Sequence, residues 1–178
     1  CLFVKDGPLA LRATLAKLSA PIQRFFSHAK SLGIEVSLIG QEKSGQFFDH
    51  LQLIGNSAPS HSCFLPDNSY IQEHIKHNNT IELYGKDTNY GAKLFIKMSD
   101  YHKMVINIPT GKKGEHVAAP SQKHLIAFKN IVATLPKILS NRFEGALLPI
   151  ELANRIASLS TYPSAKTLDL FAESAKKT

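Results

Sequence analysis

Cys1-Leu2-Phe3-Val4-Lys5-Asp6-Gly7-Pro8-Leu9 is the stretch of this sequence that decides the fold. Four apolar residues, then an acid and Gly-Pro, predict a short buried strand with Asp6 at its carboxyl end, followed by a turn and a helix. In open α/β sheets, ligands and metals lie at the carboxyl ends of the strands. Asp6 is therefore a candidate ligand. The alternative is that its carboxylate only caps the turn or the following helix.

A helix and a second strand follow this stretch. Apolar residues recur at spacings of three and four over 9–32, which predicts an amphipathic helix that Pro21 interrupts and Gly33 closes. Residues 34–40 then predict a second strand, parallel to the first because a helix joins the two. Lys43 follows at the carboxyl edge of this strand. It is a candidate phosphate contact, and the alternative is a solvated loop lysine.

The middle of the chain predicts β-structure that begins at Ile81–Tyr84 and continues as a hairpin of 92–98 with 104–109. Lys93, Phe95 and Lys97 share one face of the first hairpin strand because side chains alternate along a strand. Basic residues with an aromatic between them could line a nucleic-acid channel. The alternative is an antiparallel sheet with one solvated face.

Helical patterns dominate the C-terminal third, over 125–139, from Pro149 to Leu159, and over 165–175. The sequence contains no P-loop, dinucleotide fingerprint, nucleophile elbow or HExxH motif, so it lacks the signatures of those enzyme classes.

Length and composition set the broad class. A chain of 178 residues predicts a single domain over 1–178, and 43% hydrophobic with 20% charged residues is ordinary for a globular protein. Two cysteines form no disulfide framework, which favours a reducing, cytoplasmic location. No apolar run approaches the roughly 20 residues that span a bilayer, so we expect no membrane partner. The net charge of +7 favours an anionic partner, with nucleic acid first.

Four stretches together suggest a family. In their order along the chain, these stretches resemble motifs of the NurA nuclease family. They are Phe3–Leu9, Gly40–Gly45, Tyr84–Lys93, and Ala146–Asn154 with Tyr162–Ser164. The resemblance implies a ribonuclease H-like α/β fold, with a mixed sheet flanked by helices. It implies a nuclease that uses Mn²⁺ or Mg²⁺ on DNA ends in resection or repair. A HerA-type hexameric ATPase and a second copy of the chain are the implied partners. The match covers the later part of a family member, so we expect a fragment that lacks the first strand.

The resemblance also implies roles for individual residues. Asp6 matches a metal-binding, catalytic acid, and Lys43 matches the basic residue that neutralises the phosphate. Lys86 and Lys93 would guide the DNA strand. Asn154 stands where the family often places a histidine, and an asparagine can neither carry a proton nor bind a metal well.

A second function remains open, namely a non-catalytic or degenerate nucleic-acid-binding or assembly module of the same fold. A two-metal centre needs several carboxylates around ions about 3.5–4 Å apart. The resemblance places the first such acid upstream of residue 1. Other acids near predicted strand ends or loops are Glu42, Asp49 and Asp87. A third interpretation is that the basic charge serves a protein partner such as a ring ATPase.

Overall fold

The computed structural model of the protein describes residues 2–78, 82–112 and 115–158, with the side chains of 115 and 116 left aside. Five strands form one sheet: β1 (Leu2–Asp6), β2 (Ser37–Glu42), β3 (Ser62–Phe64), β4 (Gly91–Lys97) and β5 (Lys103–Pro109). Their order across the sheet is β1-β2-β5-β4-β3. β1 and β2 are parallel, and the other neighbours are antiparallel. The protein is thus a mixed α/β structure.

Helices flank this sheet. They are α1 (Ser19–Ser31), α2 (Gln46–Ile54), α3 (Asn68–Tyr70), α4 (Glu115–Ala118), α5 (Phe128–Thr134) and α6 (148–158). A 3₁₀-helix over Ala13–Leu18 precedes α1, a π-helical stretch over Ile71–Ile75 continues α3, and 3₁₀-helices cover Gln122–His124 and Leu135–Ile138. In the part of the chain described, none of these helices has the length and apolar character needed to cross a bilayer.

The predicted strand–helix–strand unit is confirmed, because β1 and β2 pair in parallel. The prediction that β1 is buried is wrong, because β1 lies at the edge of the sheet and its residues are half-buried or exposed. Pro21 lies in the first turn of α1, where its missing N–H breaks no helical bond, and Gly33 follows the helix with φ of +73°. The helix begins later than predicted. The carbonyl of Leu9 accepts a bond from the Tyr90 N–H (3.1 Å), and the Leu11 N–H donates to Thr88 (3.0 Å). These tertiary bonds, with a bridge between Ala10 and Asn89, keep 9–11 out of the helix.

The predicted hairpin is confirmed as antiparallel β4 and β5. A strand over Ile81–Tyr84 is wrong for its described part, since 82–84 form a bend and the start of a turn. Side-chain amides take the place of a strand partner there. Gln72 donates to the Glu82 carbonyl (2.7 Å), and the Asn68 amide oxygen accepts from the Tyr84 N–H (2.8 Å).

Both faces of the central strands are covered. One face of β4 and β5 packs with α5 and the following 3₁₀-helix through residues such as Leu94, Ile106 and Ile131. The other packs with α2 and the helix over 68–75, through Phe95, Val105 and their neighbours. Every residue of β4 is buried. The prediction that one face of β4 is open to solvent or to DNA is therefore wrong, because helices cover it.

The C-terminal third follows the prediction in part. The pattern over 125–139 appears as α5 and the 3₁₀-helix over Leu135–Ile138. Pro149 is the second residue of α6, as expected for a proline that opens a helix. The helix predicted over 165–175 and the Tyr162–Ser164 motif lie outside the described residues.

Candidate functional site

Asp6 and Lys43 meet at the carboxyl edge of β1 and β2. Asp6 pairs with Gln41 across the parallel strands, and Lys43 follows two residues later, on the same side of the sheet. The Lys43 ammonium donates to Asp6 Oδ2 at 2.9 Å, and the two side chains are 37% and 51% exposed. An exposed pair of this kind is worth roughly 0–1 kcal/mol. The Lys43 ammonium can therefore leave Asp6 for another anion at a small cost in free energy.

Two glycines allow the turn after β1 to lie close to the backbone of β2. Gly7 has φ of +93°, and its N–H donates to the Gln41 carbonyl at 2.7 Å. A Cβ on Gly40 would lie 2.5 Å from the Gly7 carbonyl oxygen, so only glycine fits there. The turn after β1 thus lies directly against β2. This contact sets the position of Asp6 at the edge.

A cavity of about 510 Å³ opens beside Lys43. Its lining includes Lys43, Phe48, Phe143, Ile150, Asn154 and Arg155. Lys43 and Asn154 were both singled out from sequence motifs alone, and the fold brings them to one cavity. Asp6 adjoins it through its bond to Lys43.

Gln41 connects the sheet to the cavity wall, a role that the sequence motifs did not reveal. Its fully buried amide donates to the Gly145 carbonyl at 2.5 Å and accepts from the Leu147 N–H at 3.3 Å. The loop before α6 is thereby anchored to β2. A polar residue within an apolar strand is the signal that could have indicated this role, because a buried amide needs partners.

Glu42 and Lys93 form a separate network on the opposite face of the sheet. The Lys93 ammonium donates to Glu42 Oε1 and, at 3.4 Å, to Asn107 Oδ1, while Asn107 Nδ2 donates to the same Glu42 oxygen at 2.7 Å. Lys93 Nζ also lies 4.1 Å from the centroid of the Phe47 ring. Burial lowers the pKa of Lys93, and the Glu42 carboxylate opposes that shift.

Lys93, only 6% exposed, does not present its charge to a DNA strand in this arrangement. Lys86 is exposed in the turn over 84–88 and does not line the cavity beside Lys43. Asp87 lies in the same turn, and its carbonyl accepts from Ser19 Oγ at 2.9 Å. Asp49 lies in the first turn of α2 and lines a different cavity.

The described residues do not assemble the ligands of a two-metal centre. Within the described ranges, no three side chains of His, Cys, Asp or Glu are grouped so that they could hold a metal ion. Asp6 bonds an ammonium group, and Glu42 bonds Lys93 and Asn107. A bound Mn²⁺ or Mg²⁺ would need carboxylates in addition to Asp6.

Comparison of the chain with protein-family models, curated protein sequences and solved structures gives no significant match. The fold and site define an α/β protein with a charged pair and a cavity at the carboxyl edge of two parallel strands.

Proposed function

We propose that this protein is a NurA-type nuclease that uses Mn²⁺ or Mg²⁺ to process DNA ends, and that it contacts the phosphate backbone at the Asp6–Lys43 edge. One observation carries the proposal. Positions 6, 43 and 154, selected from family motifs in distant parts of the sequence, converge at one edge of the sheet. The net charge of +7 supports an anionic substrate.

The wider features of the proposal follow from the family resemblance. They are a ribonuclease H-like fold, a HerA-type hexameric ATPase as partner, a homodimer, a cytoplasmic location and a role in resection or repair. The five-stranded mixed sheet flanked by helices is compatible with that fold class.

The chain's own residues perform the binding steps. In the free protein, Asp6 holds the Lys43 ammonium at the edge. When a phosphate of the substrate arrives, the Lys43 ammonium donates to it and no longer to Asp6. One charge-assisted hydrogen bond thus replaces another. Asn154 can donate a hydrogen bond to the substrate but cannot transfer a proton. Lys86, exposed in its turn, is proposed to contact the strand further along.

Replacing Lys43 with Met is expected to weaken binding of short duplex DNA and to reduce the slope of log K against log salt concentration by about 1. The physical reason is the loss of one phosphate contact. Fluorescence anisotropy with a labelled duplex at several salt concentrations measures both quantities. Lys137→Met removes an equal charge from an exposed residue outside the site and serves as the control. Equal effects of the two substitutions would contradict the assignment of Lys43.

Replacing Asp6 with Asn is expected to abolish Mn²⁺-dependent cleavage and to leave DNA binding equal or tighter. The substitution removes a metal-binding carboxylate, and it also removes the anion that competes with phosphate for Lys43. Cleavage of an end-labelled duplex and anisotropy measure the two effects. Normal metal-dependent cleavage by this variant would contradict the nuclease proposal.

The second candidate is a non-catalytic nucleic-acid-binding or assembly module. It is favoured by the lack, within the described part of the chain, of three grouped metal-binding side chains. Crystals soaked in Mn²⁺ distinguish the two functions through the anomalous scattering of the ion. A peak at Asp6 with two further carboxylates supports the nuclease. No peak, together with salt-sensitive DNA binding and no cleavage by the unmodified chain, supports the module.

A further inference from the structure

The cavity beside Lys43 has the size and the walls of a small-molecule site. Its volume of about 510 Å³ falls within the roughly 300–1,000 Å³ of ligand pockets. Apolar groups from Phe48, Phe143 and Ile150 form part of the wall, and charged or polar groups from Lys43, Asn154 and Arg155 form another part. A ligand that fits such a wall has a flat apolar portion and a negatively charged portion.

Phe143 supplies a surface for the flat portion. It lines the cavity and is 49% exposed, and the Arg142 guanidinium carbon lies 5.5 Å from the centroid of its ring. An aromatic ring accompanied by a cation is an arrangement on which nucleobases stack, and stacking tolerates any base.

The segment that carries Phe143 is held in place. Ser140 Oγ accepts from the backbone N–H groups of Arg142 (3.1 Å) and Phe143 (3.2 Å), and it donates to Glu151 Oε2 on α6 at 2.6 Å. Ser140 is fully buried. The backbone that carries the ring is thus held in place before a ligand arrives, which lowers the entropy cost of binding.

The polar wall suits the rest of a nucleotide. Lys43 and Arg155 supply positive charge for a phosphate, and the Asn154 amide offers a donor and an acceptor to the edge of a base. Two acids also line the cavity. Glu151 accepts a hydrogen bond from Ser140, and its Oε1 lies 4.0 Å from Nη1 of Arg155. Glu144 can accept a hydrogen bond from the amino group of a base.

We propose that this cavity receives a single nucleotide unit, with its base against Phe143 and its phosphate at Lys43. The inference rests on the proposed function and deepens it. The cavity is open on one side, and its volume of about 510 Å³ has room for one nucleotide unit, such as the last one of a strand. The edge would therefore bind strand ends in preference to the interior of a duplex.

Isothermal titration calorimetry of the 178-residue chain in EDTA tests this inference without any contribution from a metal. The probes are dAMP, dCMP, deoxyadenosine and inorganic phosphate. We expect both nucleotides to bind, and phosphate alone or deoxyadenosine alone to bind at least about tenfold more weakly, because each lacks one half of the contacts. Equal binding of phosphate and dAMP would reduce the cavity to a simple anion site and overturn the inference.

Two variants locate the contacts. Phe143→Ala is expected to lower dAMP affinity about tenfold and to leave phosphate affinity unchanged, whereas Lys43→Met lowers both. Phe25→Ala removes a ring of similar exposure from α1 (58% against 49% for Phe143) and is the matched control. Circular dichroism checks that each variant folds. Unchanged dAMP binding by a folded Phe143→Ala variant would also overturn the inference.

The outcomes separate this inference from the proposed function. If dAMP fails to bind while duplex DNA still binds in a Lys43-dependent way, the nucleotide cavity is wrong and the DNA edge stands. If neither dAMP nor DNA binds, both proposals fail.

Discussion

Replacing Lys93 with Met is expected to lower the free energy of unfolding by about 3–5 kcal/mol. The Glu42 side chain that Lys93 neutralises is only 10% exposed, so the substitution leaves a carboxylate buried with Asn107 as its remaining partner. A buried charge without its counter-ion costs far more than the pair itself contributes. Urea denaturation followed by circular dichroism measures the loss.

Lys97 provides the matched control for this prediction. It lies on the same strand and face as Lys93 and is equally buried. Its ammonium lies 2.7 Å from Asp100 Oδ1, but the side chain of Asp100 is 90% exposed. Lys97→Met leaves a carboxylate that water already solvates, so we expect it to lower the free energy of unfolding by clearly less than Lys93→Met does. The double variant Glu42→Gln with Lys93→Met should recover much of the stability, because no isolated charge remains. Equal losses for the two single lysine variants would show that charge burial is not the cause.

Replacing Gly145 with Ala is expected to destabilise the protein and to disturb the cavity beside Lys43. Gly145 has φ of +60°, and a Cβ there would lie 2.3 Å from the Lys103 carbonyl oxygen. The left-handed conformation alone costs roughly 1–2 kcal/mol for a residue with a Cβ. The contact with the backbone adds about 1–3 kcal/mol, because the loop must move. Since Gln41 bonds the Gly145 carbonyl, this movement also shifts the cavity wall.

Gly33→Ala separates the cost of the left-handed backbone conformation from the cost of the contact with the backbone. Gly33 has φ of +73°, but a Cβ there would meet nothing within 4 Å. We expect this variant to show the conformational cost alone and to bind dAMP and DNA normally. Urea denaturation and calorimetry on both variants make the comparison. If Gly145→Ala loses no more stability than Gly33→Ala and binds the same ligands, the backbone contact is unimportant.

Much of the site was predictable because it depends on local rules. Gly-Pro after Asp6 indicates a turn, and a helix between two strands makes those strands parallel. Parallel strands end at the same edge, so Asp6 and Lys43 were expected at the carboxyl ends of neighbouring strands. The structure confirms that placement with their 2.9 Å contact.

Other features could not be predicted from spacing. Alternation along β4 correctly puts Lys93 and Lys97 on one face, but it does not reveal that α2 covers that face. Whether a face is buried depends on elements distant in the sequence. The same limit applies to Phe143, which lies in a loop without periodicity and shares a cavity with Lys43 and α6 only in the folded chain.

The sequence by itself therefore determined the parallel pairing of β1 and β2, the β4–β5 hairpin, and the edge at which Asp6 and Lys43 lie, because turn residues and periodicity act over a few residues. Only the tertiary structure decided which charges are solvated. It buries Lys93 against Glu42 and leaves Lys43 exposed beside a cavity, because burial follows from how distant segments pack.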